Sequence, residues 1–243
     1  MVYMGSKRRI AKYILPIMLS YRKEGQTWVE PFVGGGNMID KVKGNRIGAD
    51  INKWVIEALI TIRDNVDTLP KNNKEFTEED YKNLRNNDDC PFKGFAGFAY
   101  SFGGKWMNGY RKGGNRDYVK EAHTNAKKQS LLLQEVKFVS CSYDSLTIPK
   151  NSIIYCDPPY QNTTEYKINF DHTKFWQWVR EKYKEGHTIF ISEYNAPEDF
   201  EVLYEIDLLN TVCKKQGKYE VAKEKLFAPK GQKRVDTIFD IIS

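Results

Sequence analysis

Cysteine and histidine are scarce in this chain: four and three residues out of 243. Cys90, Cys141, Cys156 and Cys213 lie far apart and form no Cys-x-x-Cys pair, so neither a disulfide framework nor a zinc site is indicated. Cys156, within an apolar run, reads as a buried thiol. His123, His172 and His187 have no metal-ligand spacing and read as ordinary surface or loop histidines, so no metal is expected. Long hydrophobic runs are missing too. The apolar stretch at 13–19 follows Lys7-Arg8-Arg9 and Lys12, contains Pro16, and is followed by no small-residue cleavage site. It is too short and interrupted for a signal peptide or a membrane span. Ile10, Ile14, Ile17 and Met18 fall at helical spacing instead, which predicts an amphipathic helix in a cytoplasmic protein. Internal repeats and low-complexity tracts are also absent.

What is there points to an enzyme-sized α/β protein. The length suits one sizeable domain, or one domain with a smaller insertion, and 40% apolar residues is ordinary for a protein with a real core. The net charge of +6 is a mild basic excess, which fits a polyanionic partner without demanding one. Aromatic residues are abundant at 14%, with 15 tyrosines and 13 phenylalanines, more than a core alone requires.

Periodicity predicts a helix over 10–20, a strand over 27–32 broken by Gly34-Gly35-Gly36, a short helix start at 38–42, a strand over 46–50 and a helix over 53–65. Val55, Ile56, Leu59, Ile60 and Ile62 supply the apolar face of the last. This β-α-β-α order opens a doubly wound parallel sheet. The rhythm resumes with strands at 136–140 and 153–156, a helix at 174–184 and a strand at 188–192. The end reads as antiparallel, with a helix or strand at 203–210 and a final strand at 235–242. Composition shifts over 66–135, first to turn-rich asparagines and then to glycine, aromatic and basic residues. This stretch reads as an insertion in a loop at the C-terminal edge of the sheet, where active sites form. The domain division is then 1–65 and 136–243 for the main domain, and 66–135 for the insertion.

Three constellations carry chemistry. Glu30-Pro31-Phe32-Val33-Gly34-Gly35-Gly36 stands at a strand-to-helix turn, where glycine lets a ligand approach the backbone. A tight turn with no ligand would need the same glycines, and the spacing is not the dinucleotide Gly-x-Gly-x-x-Gly. Asp50 closes the next strand, where a carboxylate can accept both ribose hydroxyls of a nucleoside. Because Asp or Asn before a helix is also a common cap, Asn52 is expected to cap and Asp50 to bind. The third and most specific is Asp157-Pro158-Pro159-Tyr160 after the apolar run 152–156. It places an acceptor oxygen, a stiff turn and a flat ring at the end of a strand, the set needed to orient and stack a nucleobase amine.

With these motifs in this order, the chain resembles the Dam-like DNA adenine methyltransferases, which use S-adenosylmethionine. The match extends to Tyr3-x-Gly5-x-Lys7, Ala49-Asp50-Ile51-Asn52, Tyr155-Cys156-Asp157-Pro158-Pro159-Tyr160 and Ile191-Ser192-Glu193-Tyr194. The resemblance implies a Rossmann-like methyltransferase fold: a mostly parallel doubly wound sheet with an antiparallel C-terminal strand and a small inserted target-recognition domain. It implies that Tyr3 and Lys7 lie against the methionine end of S-adenosylmethionine, Lys7 near its carboxylate. Phe32 and Gly34 to Gly36 would line that ligand, and Asp50 would hold its ribose. Ser142, Tyr143 and Asp144 are candidates for its adenine, or an ordinary strand-end turn. Asp157 would serve both cofactor and target amine, Asp157 and the Pro158 carbonyl would each accept one amine N–H, and Tyr160 would stack on the base. Tyr166 or Phe170 would clamp the other face or simply pack.

The implied partner is double-stranded DNA, with no membrane and no obligate protein partner. Lys105, Arg111, Lys112 and Arg116 are the candidate DNA contacts, since arginine reads guanine and lysine neutralises phosphate. Phe95, Phe98 and Phe102 are expected to point inward, and Lys105 with 111–116 outward. The basic loop 230–234 reads as a phosphate contact or a solvated hairpin. The expected activity is methylation of the adenine 6-amino group. Methylation of the cytosine 4-amino group, an RNA or small-molecule methyltransferase, and a DNA-binding module with a vestigial cofactor site are the alternatives. Asp at the first motif position favours adenine.

Overall fold

The computed structural model describes residues 1–87, 90–160, 170–215 and 218–235. In chain order the elements are α1 (Ala11–Leu19), β1 (Trp28–Glu30), β2 (Arg46–Asp50), α2 (Lys53–Asp64), α3 (Glu78–Leu84), α4 (Lys93–Ala99), α5 (Tyr118–Leu133), β3 (Lys137–Ser140), β4 (Ile153–Cys156), α6 (His172–Lys184), β5 (Thr188–Glu193), β6 (Phe200–Lys215) and β7 (Lys218–Pro229). The sheet is seven-stranded in the order β3-β2-β1-β4-β5-β7-β6. Its first five strands follow the doubly wound 3-2-1-4-5 order, and the fold is the mixed α/β, mostly parallel architecture expected. The chain divides into two compact units, Met1–Ala11 with Phe32–Leu146, and Lys12–Pro31 with Thr147–Ser243.

In the first unit β2 and β3 run parallel, Ile47 opposite Lys137 and Asp50 opposite Ser140. Asn52 caps α2, its side-chain oxygen accepting the Trp54 N–H at 3.1 Å. Val55, Ile56, Leu59 and Ile62 of α2 are buried as their spacing requires. Helix α4 comes against α2 at Gly94: a Cβ there would lie 2.4 Å from the Trp54 carbonyl oxygen. The Gly94 N–H donates to Glu57 at 2.8 Å, satisfying one orphan donor of the α4 start. At the other end of α5, buried Arg46 donates to the carbonyls of Leu132 at 2.7 Å and Gln134 at 2.6 Å. One guanidinium thus ties the strand that ends in Asp50 to the last turn of α5.

In the second unit β1, β4 and β5 run parallel, with Ile153 opposite both Trp28 and Thr188. Every residue of β4 and β5 is buried, as expected for strands covered on both faces. Strand β7 is antiparallel to β5, Glu193 opposite Lys225, and to β6. Helix α6 starts at an Asp171 cap and buries Phe175, Trp176, Trp178 and Val179.

Two expectations need correction, for the histidines and for Phe102. The strand beside β5 is β7, which periodicity does not reveal; the anticipated strand at 235–242 lies outside the described residues beyond Val235. His187 is not a surface histidine. It is buried, its Nδ1 accepting the Ser152 N–H at 3.0 Å, and His123 is buried in α5. Phe95 and Phe98 point inward, but Phe102 is 69% exposed, because the turn that carries it is closed by backbone bonds between Phe102 and Gly109 and between Gly104 and Ser101.

Replacing Gly94 by alanine improves intrinsic helix propensity yet forces α2 and α4 apart. The expected outcome is a loss of about 1–3 kcal/mol of stability, read from chemical denaturation.

Candidate active site

The sequence motifs fall in both units and are taken in turn. In the first unit, the Val33 N–H donates to the Ala49 carbonyl at 2.8 Å and the Gly36 N–H to the Val33 carbonyl at 2.9 Å. Gly34 and Gly36 have φ of +47° and +67°, left-handed values that favour glycine. The Cβ positions of the turn are faced by protein. A Cβ on Gly34 would lie 2.9 Å from the Tyr3 ring, and one on Gly35 2.7 Å from the Tyr3 Cβ. The N-terminal segment is therefore seated on the turn, with the Tyr3 ring 5.3 Å from Phe98 and the Met4 N–H donating to the Gly104 carbonyl. Lys7 follows in a short 3-10 turn and is buried. Sequence alone does not distinguish it from its exposed neighbours Arg8 and Arg9.

Asp50 accepts the Gly34 N–H at 3.2 Å on one carboxylate oxygen and the Asn52 N–H at 2.9 Å on the other. Burial pushes its pKa up to about 6, against the pull of these two bonds. Each oxygen keeps lone-pair capacity for one more donor, so the group fits a ribose diol. The Cys141 N–H donates to the Asp50 carbonyl at 3.1 Å, which brings the turn after β3 alongside. There the Tyr143 and Phe32 rings pair at 5.4 Å, and Ser142 hydrogen-bonds Asp144. Phe32, Gly34, Asp50 and Tyr143 thus form one neighbourhood.

Beneath the glycine turn lies a residue that the sequence does not advertise. The amide nitrogen of Gln129, buried in α5, donates to the Gly35 carbonyl at 3.0 Å, the Gly36 carbonyl at 3.3 Å and Asp40 at 3.1 Å. Its oxygen accepts from the Met1 amine, which also donates to the Gly35 carbonyl at 2.9 Å. A lone glutamine on an amphipathic helix carries no motif, and no sequence signal finds it.

In the second unit Asp157, Pro158, Pro159 and Tyr160 leave the end of β4 in a turn outside regular structure, with Asp157 half-buried and Pro158 buried. The Tyr160 hydroxyl donates to Glu224 of β7 at 2.8 Å. Its ring meets Tyr194 edge to face, with centroids 4.6 Å apart at 73°. Burial first, then the charges of Asp157 and Glu224, push the Tyr160 phenol well above its ordinary pKa, so it stays a donor. Tyr194 follows β5, and its N–H donates to Glu193 at 2.8 Å. Phe170 packs on Phe175 of α6, centroids 5.6 Å apart, which is the packing alternative. Tyr166 lies outside the described residues.

Of the candidate DNA contacts, Lys112 pairs with Glu78 at 2.7 Å and Arg116 pairs two-pronged with Glu121 at 2.7 and 2.8 Å. The Arg111 guanidinium lies 4.1 Å from the centre of the Tyr118 ring, and Lys105 is half-buried. In the basic loop 230–234, Arg234 lies over the Tyr21 ring at 5.5 Å. Among the described residues, no group of three or more His, Cys, Asp or Glu is placed to hold a metal ion, and no helix is long and apolar enough to cross a membrane.

Gln129→Ala removes this donor from the Gly35 and Gly36 carbonyls and from Asp40, which keep the Met1 amine, the Asp40 N–H and Lys41 respectively. Each lost hydrogen bond is worth about 0.5–1.5 kcal/mol, so the expected outcome is a lower Tm together with faster amide exchange at Gly34 to Gly36.

Comparison with known proteins bears on both motif sets. The description D12 class N6 adenine-specific DNA methyltransferase matches residues 3–89 and 105–228. The type II methyltransferase M.FokI of Planomicrobium okeanokoites is 27% identical over 205 residues, covering 73% of this chain and 31% of M.FokI. The chain therefore spans about a third of that relative's length. A conserved hypothetical protein of Streptococcus pyogenes aligns with a TM-score of 0.39 at 9% identity, over 92% of this chain and 98% of that one. The complex of SMU.472 with SAH aligns with a TM-score of 0.36 at 14% identity, over 96% of this chain and 54% of that one. Alignments this loose carry no argument. The family match does: it runs from the segment of Tyr3 through the glycine turn, Asp50 and the Asp157 turn to β7, and the chain belongs to the D12 class N6 adenine-specific DNA methyltransferase family.

Proposed function

We propose that this chain transfers a methyl group from S-adenosylmethionine to the exocyclic 6-amino group of an adenine flipped out of duplex DNA. The observation that carries the reading is the Asp157-Pro158-Pro159-Tyr160 turn at the end of a buried strand, in a chain of this family. When bound, the sulfonium of S-adenosylmethionine supplies an electrophilic methyl group, and its displacement calls for no metal. Asp50 would accept the ribose hydroxyls of the cofactor, Lys7 would face its carboxylate, and Tyr3, Phe32, Gly34, Gly36 and Tyr143 would line the remainder.

The adenine amine is a poor nucleophile because its lone pair is delocalised into the ring. Asp157 and the Pro158 carbonyl each accept one amine N–H, drawing the nitrogen toward tetrahedral geometry and aiming its lone pair at the methyl. Asp157 thus orients the amine. Tyr160 stacks on the base, an interaction typically of ~1–3 kcal/mol, once the base has left the duplex.

We place target recognition within residues 66–135, with catalysis in 1–65 and 136–243. The stretch 93–116 is the part suited to DNA, because α5 at the end of the range is tied to the glycine turn through Gln129. Lys105, Arg111, Lys112 and Arg116, with the exposed ring of Phe102 among them, match a nucleic acid better than a small molecule. The ion pairs of Lys112 and Arg116 lie at the surface and are screened by solvent, so phosphate can exchange into them. The chemistry would suit the cytosine 4-amino group as well. Digesting methylated DNA to nucleosides separates the two products, and competition between duplex DNA and RNA in the transfer assay tests the substrate.

Three outcomes are expected. Asp157→Ala abolishes transfer of labelled methyl to DNA while leaving the Tm near that of the parent, and Tyr160→Ala slows transfer strongly; a near-normal rate in the first would sink the orienting mechanism. The third outcome concerns pH. The raised pKa leaves Asp50 half-protonated near pH 6, and only the ionised form can accept both ribose hydroxyls. S-adenosylmethionine affinity, measured by calorimetric titration, is then flat above about pH 7 and weakens as the pH falls through 6, approaching about tenfold per unit.

A further inference from the structure

We propose that Glu224 is a positioning residue for Tyr160, holding its ring at the angle in which the target base stacks. The inference rests on the stacking role of Tyr160 given above. Two prolines fix the backbone ahead of Tyr160 but leave its ring free to turn. Two contacts remove that freedom. Tyr194, delivered by the end of β5, meets the ring edge to face at 4.6 Å. Glu224, delivered by β7 on the far side of β5, takes the hydroxyl at 2.8 Å. The Tyr160 side chain therefore reaches past β5, from the β4 end to β7, and is held at its tip.

A phenylalanine would stack on a base equally well. A buried hydroxyl costs free energy unless it is bonded, so the hydroxyl is explained by its partner. Glu224 is itself only 5% exposed and sits where β7 is held in register, opposite Ile206 of β6 and next to Lys225, which pairs with Glu193. The acceptor is thus fixed by sheet pairing on two sides, so the ring inherits the rigidity of β7.

The test uses the full chain, labelled S-adenosylmethionine and unmethylated plasmid DNA. kcat, KM for DNA and Tm are measured for Tyr160→Phe, Glu224→Leu, Glu224→Gln and the Tyr160→Phe/Glu224→Leu double variant. A hydrogen bond to a charged group suggests a loss of about tenfold in kcat/KM for Tyr160→Phe and for Glu224→Leu. The double variant is expected to be no worse than either single one, and Glu224→Gln, which keeps an acceptor oxygen, to recover most of the loss. Multiplying losses in the double variant would overturn the proposal, as would rates that fall only in step with Tm. Tyr160→Ala separates the two levels. If it is impaired while Tyr160→Phe and Glu224→Leu both work at the parental rate, stacking stands and the positioning role falls. If Tyr160→Ala itself works at the parental rate, the stacking reading fails and takes this inference with it.

Discussion

The hydrogen bonds from one buried amide, that of Gln129, hold the glycine turn in place. Gly35 and Gly36 present carbonyls inward, and Gln129 donates to both together with Asp40, alongside the Met1 amine at Gly35 and the Asp40 N–H at Gly36. Gly34 and Gly36 need left-handed backbone angles, and the Cβ positions of all three glycines are closely faced by Tyr3, Asn37 and Leu59. A turn packed on one face by an N-terminal segment and on another by α2 and α5 cannot shift without disturbing both. The N–H of Gly34 is in turn held by Asp50, so the backbone and the carboxylate are set by the same packing.

The second unit solves a similar problem by different means. Instead of a side-chain amide, it uses parallel strands with every residue buried. Their ends carry short polar turns, and side chains cross from one strand end to another. Tyr155 to Ser192 and Tyr160 to Glu224 are such links. The turn after β4 has little secondary structure of its own and relies on these neighbours for its shape.

Much of this was legible from residue patterns, for definite reasons. Strands β4 and β5 are continuous apolar runs, which burial on both faces demands. Asn52 as a cap and Asp50 as a strand-end carboxylate follow from position alone, and the bond from the Trp54 N–H to Asn52 bears out the cap. Strand β7 was not legible, because lysine and glutamate alternate through it and its pairing is set by β5 and β6 rather than by its own composition. Gln129 and Glu224 act through partners 89 or more and 64 residues away in sequence, a distance no local pattern spans. Phe102 reads as core because it stands near other aromatic residues, whereas a backbone-closed turn fixes which way it faces.

The buried imidazole of His187 has a consequence for the fold as a whole. Its Nδ1 serves as acceptor for the Ser152 N–H at the start of β4, a duty only the neutral ring can perform. Burial lowers its pKa, outweighing the Glu185 carboxylate 3.6 Å away. The folded state thus takes up a proton less readily than the unfolded chain, whose imidazole titrates near the usual value of about 6.5. The stability this seam contributes is complete above that value and declines as the medium acidifies from there toward the lower folded pKa. The loop between α6 and β5 thereby sets an acid boundary for the strand that delivers Asp157, however far that loop lies along the chain from the reacting groups.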